Sequence, residues 1–206
     1  MQTKSFLRLL LSVVLSLSFA STAFAEQSGV QQSNKAGLDK YSYEFKKYAK
    51  QLEVTEEVPY KEVQLEDGTI LFNEIKISKN IGNKSSMAVS TAVATETSSM
   101  TSSQGYKNIF GNVLYKLDYT TVWTYDYSTV LSSYSYTSVQ NGAGWSFVDD
   151  DNFGPGINDS GREHQWTGTA KFAIIVAGIH VNNETLLNHH RVRYNGTYAW
   201  KYEIEG

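Results

Sequence analysis

A chain of 206 residues with 18 Lys and Arg against 21 Asp and Glu carries a formal charge of −3, which argues against nucleic acid as a partner, since that role asks for a basic footprint. It contains no cysteine, which excludes disulfide staples and thiolate chemistry and leaves packing alone to hold the fold. The length suits one domain with an appendage.

Residues 1–25 read as a secretion signal. Lys4 and Arg8 make the positive start, Phe6 to Phe19 the apolar run, and Ala23-Phe24-Ala25 the small-residue cleavage pattern. The uncharged part is shorter than a membrane span needs. Cleavage near Ala25 predicts a secreted, extracellular protein starting at Glu26, and losing two positive charges takes the formal charge from −3 to −5.

Residues 26–77 read as a helix-plus-hairpin module. Leu38, Tyr41, Phe45, Tyr48 and Leu52 recur at three- and four-residue steps with lysines opposite, which predicts an amphipathic helix of roughly four turns over 38–52. Val54 to Ile77 predicts a hairpin turned by Glu66-Asp67-Gly68, because Asp-Gly supplies the positive φ such turns need. Pro59 belongs before the strand proper or at an edge. Marginal on its own, the module also suits a pro-segment removed on maturation.

Residues 78–104 are rich in Ser, Thr and small side chains and read as a linker. A second reading comes from the alternation of Met87, Val89, Thr91 and Val93 with Ala88, Ser90, Ala92 and Ala94. Such a pattern fits the membrane-inserting hairpin of a β-pore toxin, although no aromatic girdle flanks it.

Residues 105–206 read as an antiparallel β domain, a sandwich or small barrel, so the chain as a whole is expected to be mainly β. Val113 to Tyr127 places Tyr115, Leu117, Tyr119, Thr121, Trp123 and Tyr125 on one strand face by period two. Unbroken, it would span roughly 50 Å, so a bend or a crossing between sheets is expected near Asp118 to Thr121. Val130 to Val139 and Gly144 to Val148 follow as strands around the Asn141-Gly142-Ala143-Gly144 turn, and Asp149 to Gly161 reads as a turn-rich loop. Trp166 to Val181, apolar on both faces, belongs in the middle of the stack. Asn182-Asn183-Glu184 is the next expected turn, and Asn195-Gly196 is the strongest hairpin signal.

Three constellations offer sites. Asp149, Asp151, Asn152 and Asp159 bracket glycines and supply the hard oxygen ligands that calcium takes, but the EF-hand template fails at Phe153 and Ser160. His189, Arg191 and Arg193 share a strand face and suit an anionic group or acids across the sheet. Tyr119, Trp123, Tyr125, Trp145 and Trp200 belong to an aromatic set too large for one small core, and an exposed planar row of them would stack sugar rings. Without H-E-x-x-H or G-x-S-x-G, no catalytic residue is assigned, and the balance leans away from an enzyme.

The export signal and the aromatic β domain together resemble the small secreted β-sheet proteins of Gram-positive bacteria, a likeness that assigns no functional residue. The expectation is a secreted, non-catalytic binding module acting at a cell envelope or on a polysaccharide. The alternative is a toxin or bacteriocin-like protein that uses residues 87–101 against a membrane. A secreted hydrolase ranks third: it needs facing carboxylates, and Asp118 and Asp126 would lie about 27 Å apart along their strand.

Overall fold

The computed structural model describes residues 43–80 and 94–205, and these build two antiparallel sheets. The first contains Tyr60–Gln64 (β1), Ile70–Asn80 (β2), Glu96–Lys107 (β3), Val113–Tyr125 (β4) and Val130–Asn141 (β5), in that spatial order. The second contains Trp145–Asn158 (β6), Glu163–Val176 (β7), Ile179–Arg193 (β8) and Tyr198–Glu205 (β9), again in order. A short helix, α1 at 43–48, precedes β1. The chain is mainly β, and its sheets pack face to face as a sandwich. No helix among the described residues is long and apolar enough to cross a membrane.

Period two along β4 sets the interior. Tyr115, Leu117, Tyr119, Thr121, Trp123 and Tyr125 are all buried, while Lys116, Asp118, Val122 and Thr124 stay partly open. Phe172, Ala170 and Leu186 of the second sheet meet Tyr115 and Leu117 in one apolar cluster, which Phe45 and Leu52 close from the side of α1. Val54, Ile75, Met100, Trp123, Tyr125, Val130 and Val192 form another.

Between the two clusters runs a polar seam. Ser102 Oγ and Thr121 Oγ1 each lie 2.7 Å from one ring nitrogen of His190, and Thr121 Oγ1 also meets Ser135 Oγ at 2.7 Å. Gln104 Nε2 donates to Asn188 Oδ1 at 2.7 Å, and Asn188 Nδ2 donates to the Ser102 carbonyl at 3.0 Å. The Thr121–Ser135 contact ties β4 to β5, and each of the other pairings bridges β3 or β4 to β8. Sliding one sheet over the other would strip several buried polar groups of partners at once, which costs roughly 1–3 kcal/mol each. The seam therefore fixes the alignment of the two layers.

Several local expectations change. β4 does not cross between sheets at 118–121; it pairs β3 and β5 along its whole length, and register slips only at Tyr106/Lys107 and Thr124/Tyr125. Residues 149–158 are strand, not loop: β6 follows β7 through two register shifts and ends in a 3-10 turn at Asp159–Gly161. The long apolar strand is two strands, because Ala177 and Gly178 take positive φ and reverse the chain, and Asn182 to Glu184 continue β8. Both described ends of the expected linker are strand, β2 running to Asn80 and β3 starting at Glu96. The part of the suggested pore segment at 96–101 is thus paired on both sides, while 87–93 lie outside the described residues, as do the secretion signal and the first turn of the expected 38–52 helix.

Candidate binding surfaces

Most aromatic candidates are core residues. Tyr119 and Trp123 are 0% exposed and Tyr125 is 3%, because the second sheet lies over them. Tyr198 meets Trp123 edge-on at 5.8 Å between ring centroids. The Tyr119 hydroxyl donates to Asn152 Oδ1 at 2.8 Å, and burial pushes it up to about 12. Trp145 packs its ring 4.0 Å from that of Tyr115, against the apolar cluster. Trp145 is half-buried with one side on the cluster, and the other three offer no ring face to a ligand. Trp200 does: it is half-buried, stacked on Tyr198 at 6.2 Å and 29°, and lines a cleft.

That cleft, of ≈ 800 Å³, lies between β9 and the segment that follows α1. Leu52 and Val54 form one wall, Tyr198 and Trp200 the other, and Asn73 of β2 lines it from below. A smaller cleft of ≈ 300 Å³ lies beside Arg191, His189 and Lys201.

The open aromatic row is elsewhere, on β5. Tyr134 and Tyr136 are 57% and 50% exposed, with ring centroids 6.5 Å apart and planes within 20° of parallel. They stand opposite Val122 and Thr120 in register, on the face of β4 turned away from the core. This outer face is hydroxyl-rich: Thr120 bonds Thr101 at 2.8 Å and Thr124 bonds Thr97 at 3.0 Å. Its charges cancel locally, Lys116 with Asp118 at 2.7 Å and Lys76 with Glu74 at 2.9 Å.

His189, Arg191 and Arg193 do share one face of β8, as period two requires. They are paired rather than free. Glu163 takes Arg193 at 2.8 Å and Arg191 at 3.4 Å. Burial works against that carboxylate, yet the two guanidiniums and Gln165 hold it below its ordinary range. His189 bridges Thr167 Oγ1 at 2.9 Å and Glu203 Oε2 at 3.1 Å. Hydroxyl, imidazole and carboxylate stand in the order of a catalytic triad. Thr167 and His189 line the smaller cleft, but the nearby cations Arg191 and Lys201 are engaged by Glu163 and Glu203 rather than poised for a developing oxyanion. The row works as cross-strand pairing.

The expected calcium ligands are not brought together. Asp149 and Asp151 alternate with Asp150 and Asn152 along β6, so the pairs point to opposite faces. Asn152 Nδ2 donates to the Ser135 carbonyl at 2.6 Å, Asp150 accepts from Thr137, and Asp159 sits ten residues on from Asp149 in the 3-10 turn. Among the described residues, no group of three or more His, Asp or Glu is placed to hold an ion. Asp126 caps the β4–β5 turn, where the Ser128 hydroxyl and the Thr129 and Ser128 amides hold it at about 2.

Compared with protein-family models, with curated proteins and with solved structures, the chain finds no match.

Proposed function

We propose that this chain is a secreted, non-catalytic binding module that lies flat on a neutral polysaccharide, at a cell envelope or in a matrix. The observation that carries the proposal is the Tyr134–Tyr136 ledge: two half-exposed, nearly parallel rings beside an array of sheet hydroxyls. Sugar rings present C–H faces to aromatic planes and hydroxyls to hydroxyls, so such a surface matches them in both kinds of contact. Because the charges on this face are paired within it, association should depend little on salt.

The test is retention on insoluble cellulose, chitin and purified cell wall. The expected outcome is binding that persists from low salt to about 1 M and falls about tenfold or more when Tyr134 and Tyr136 are both changed to Ala. Retention unaffected by the double substitution, or absent on every glycan, would count against the proposal.

A further inference from the structure

We propose that the free edge of β9, together with the cleft beside it, takes an extended peptide bearing basic side chains. This site lies apart from Tyr134 and Tyr136 and goes beyond the glycan proposal.

Three observations converge on it. Among the described residues β9 ends its sheet: it pairs with β8 from Thr185–Glu205 to Val192–Tyr198, and none of the described strands lies beyond it. An edge strand directs alternate backbone N–H and C=O groups outward, where an added strand can pair with them. Along this edge runs the ≈ 800 Å³ cleft, into which Tyr198 and Trp200 face from positions two apart. Side chains two apart on an incoming strand would meet one ring each. Finally, Asn73, 2% exposed, lines the same cleft; its Nδ2 donates to the Leu52 carbonyl at 3.2 Å while its Oδ1 accepts no hydrogen bond. A buried acceptor without a donor is costly, and a donor-bearing ligand would relieve it once the Asn73 side chain turns toward the cleft.

Charge selects the kind of peptide. The cleft wall carries the exposed carboxylates Glu53, Glu56 and Glu57 against Lys50 and Lys201, and Lys201 is already engaged by Glu203. The Tyr198 ring accepts a cation within this chain, the Lys79 ammonium lying 5.6 Å from its centroid. A neutral glycan would use the two rings and leave the strand edge unpaired. A basic extended peptide uses rings, edge and carboxylates together.

The experiment titrates fluorescein-labelled peptides of alternating Lys and Val into the full chain and follows anisotropy, with amide chemical shifts to locate the site. The expected result is saturable binding with shifts centred on Tyr198 to Lys201. Affinity should fall about tenfold or more for the alternating Glu and Val peptide, and again when alternate peptide amides are N-methylated. Combined Glu53→Gln, Glu56→Gln and Glu57→Gln should weaken binding and flatten its salt dependence, while Tyr134→Ala with Tyr136→Ala leaves it unchanged. Absence of binding, indifference to N-methylation or to charge sign, or displacement of the peptide by a chitin oligosaccharide would each overturn the inference. The N-methylation arm uses the unaltered protein, so it decides the matter even if a variant misfolds. Loss of glycan retention with intact peptide binding, or the reverse, separates the two sites.

Discussion

The Tyr119 ring on β4 occupies the volume that a side chain at Gly168 on β7 would need. A Cβ built at Gly168 collides with the ring, which cannot retreat because its hydroxyl is anchored on Asn152. Gly168→Ala should therefore lose about 1–3 kcal/mol by overpacking, outweighing the gain of roughly 0.4–1 kcal/mol from a less flexible unfolded chain. A shift of the urea midpoint to lower concentration checks this; an unchanged midpoint would mean that the ring has somewhere else to go.

Glu184 makes stability fall with rising pH. Burial pushes its carboxyl up to about 7 from an ordinary 4.5, against the pull of the Tyr115 and Tyr106 hydroxyls, so the folded protein prefers the neutral acid. The contribution is complete below pH 4.5 and is lost as the pH climbs through 7. Glu184→Gln, which still accepts from Tyr115, should be more stable than the parent by on the order of 3 kcal/mol at about pH 8 and scarcely different near pH 4. Thermal unfolding of both proteins across that range is the measurement, and parallel curves would refute it.

His190 works in the opposite direction. Burial first, then the neighbouring His189, bring it down from 6.5 to about 3, and both ring nitrogens are already bonded within the seam. Protonation would charge a group sealed from solvent. Its contribution is whole above pH 6.5 and drains away as the pH falls toward 3. His190→Asn should be weaker than the parent by about 1–3 kcal/mol at pH 7, and the gap should narrow on acidification.

A single carboxylate, Glu163, restrains both Arg191 and Arg193. Because both guanidiniums are about half exposed, Glu163→Gln should change stability by less than about 1 kcal/mol. It should nonetheless leave two unbalanced positive charges on the outer face of β8. Retention on a sulfated resin ought to rise at low salt and vanish at high salt. No gain in retention would show that other acids neutralise the strip.

Replacing Tyr134 and Tyr136 with Ala should leave stability within about 0.5 kcal/mol of the parent, since neither ring contributes to the core clusters. Calorimetry on the variant used for the glycan assay checks this, and a large loss would mean that the ledge supports the fold.

Some of this architecture is visible residue by residue. The turns at Asp67-Gly68 and Asn195-Gly196 appear where glycine takes positive φ, and period two over 113–125 is that of β4. The stretch 96–104 misled for a physical reason. Ser102 and Gln104 look like solvated linker by composition, yet they face inward and bond His190 and Asn188 across the sandwich. Their partners lie more than 80 positions away, and no local pattern announces a buried polar layer. The acidic run at 149–152 misled similarly, because Asx-rich sequence reads as turn until a neighbouring strand offers it a ladder.

Tyr119 and Tyr134 mark the boundary between the two kinds of knowledge. Each sits in an alternating aromatic pattern, and each was legible as a strand residue, because the direction of a side chain in a strand depends only on its own backbone. One is sealed inside and the other stands in solvent. That outcome was decided by the second sheet, whose Gly168 makes room over one face of the first and leaves the other face bare. Burial is a relation between segments distant in sequence, so only the assembled layers could assign it.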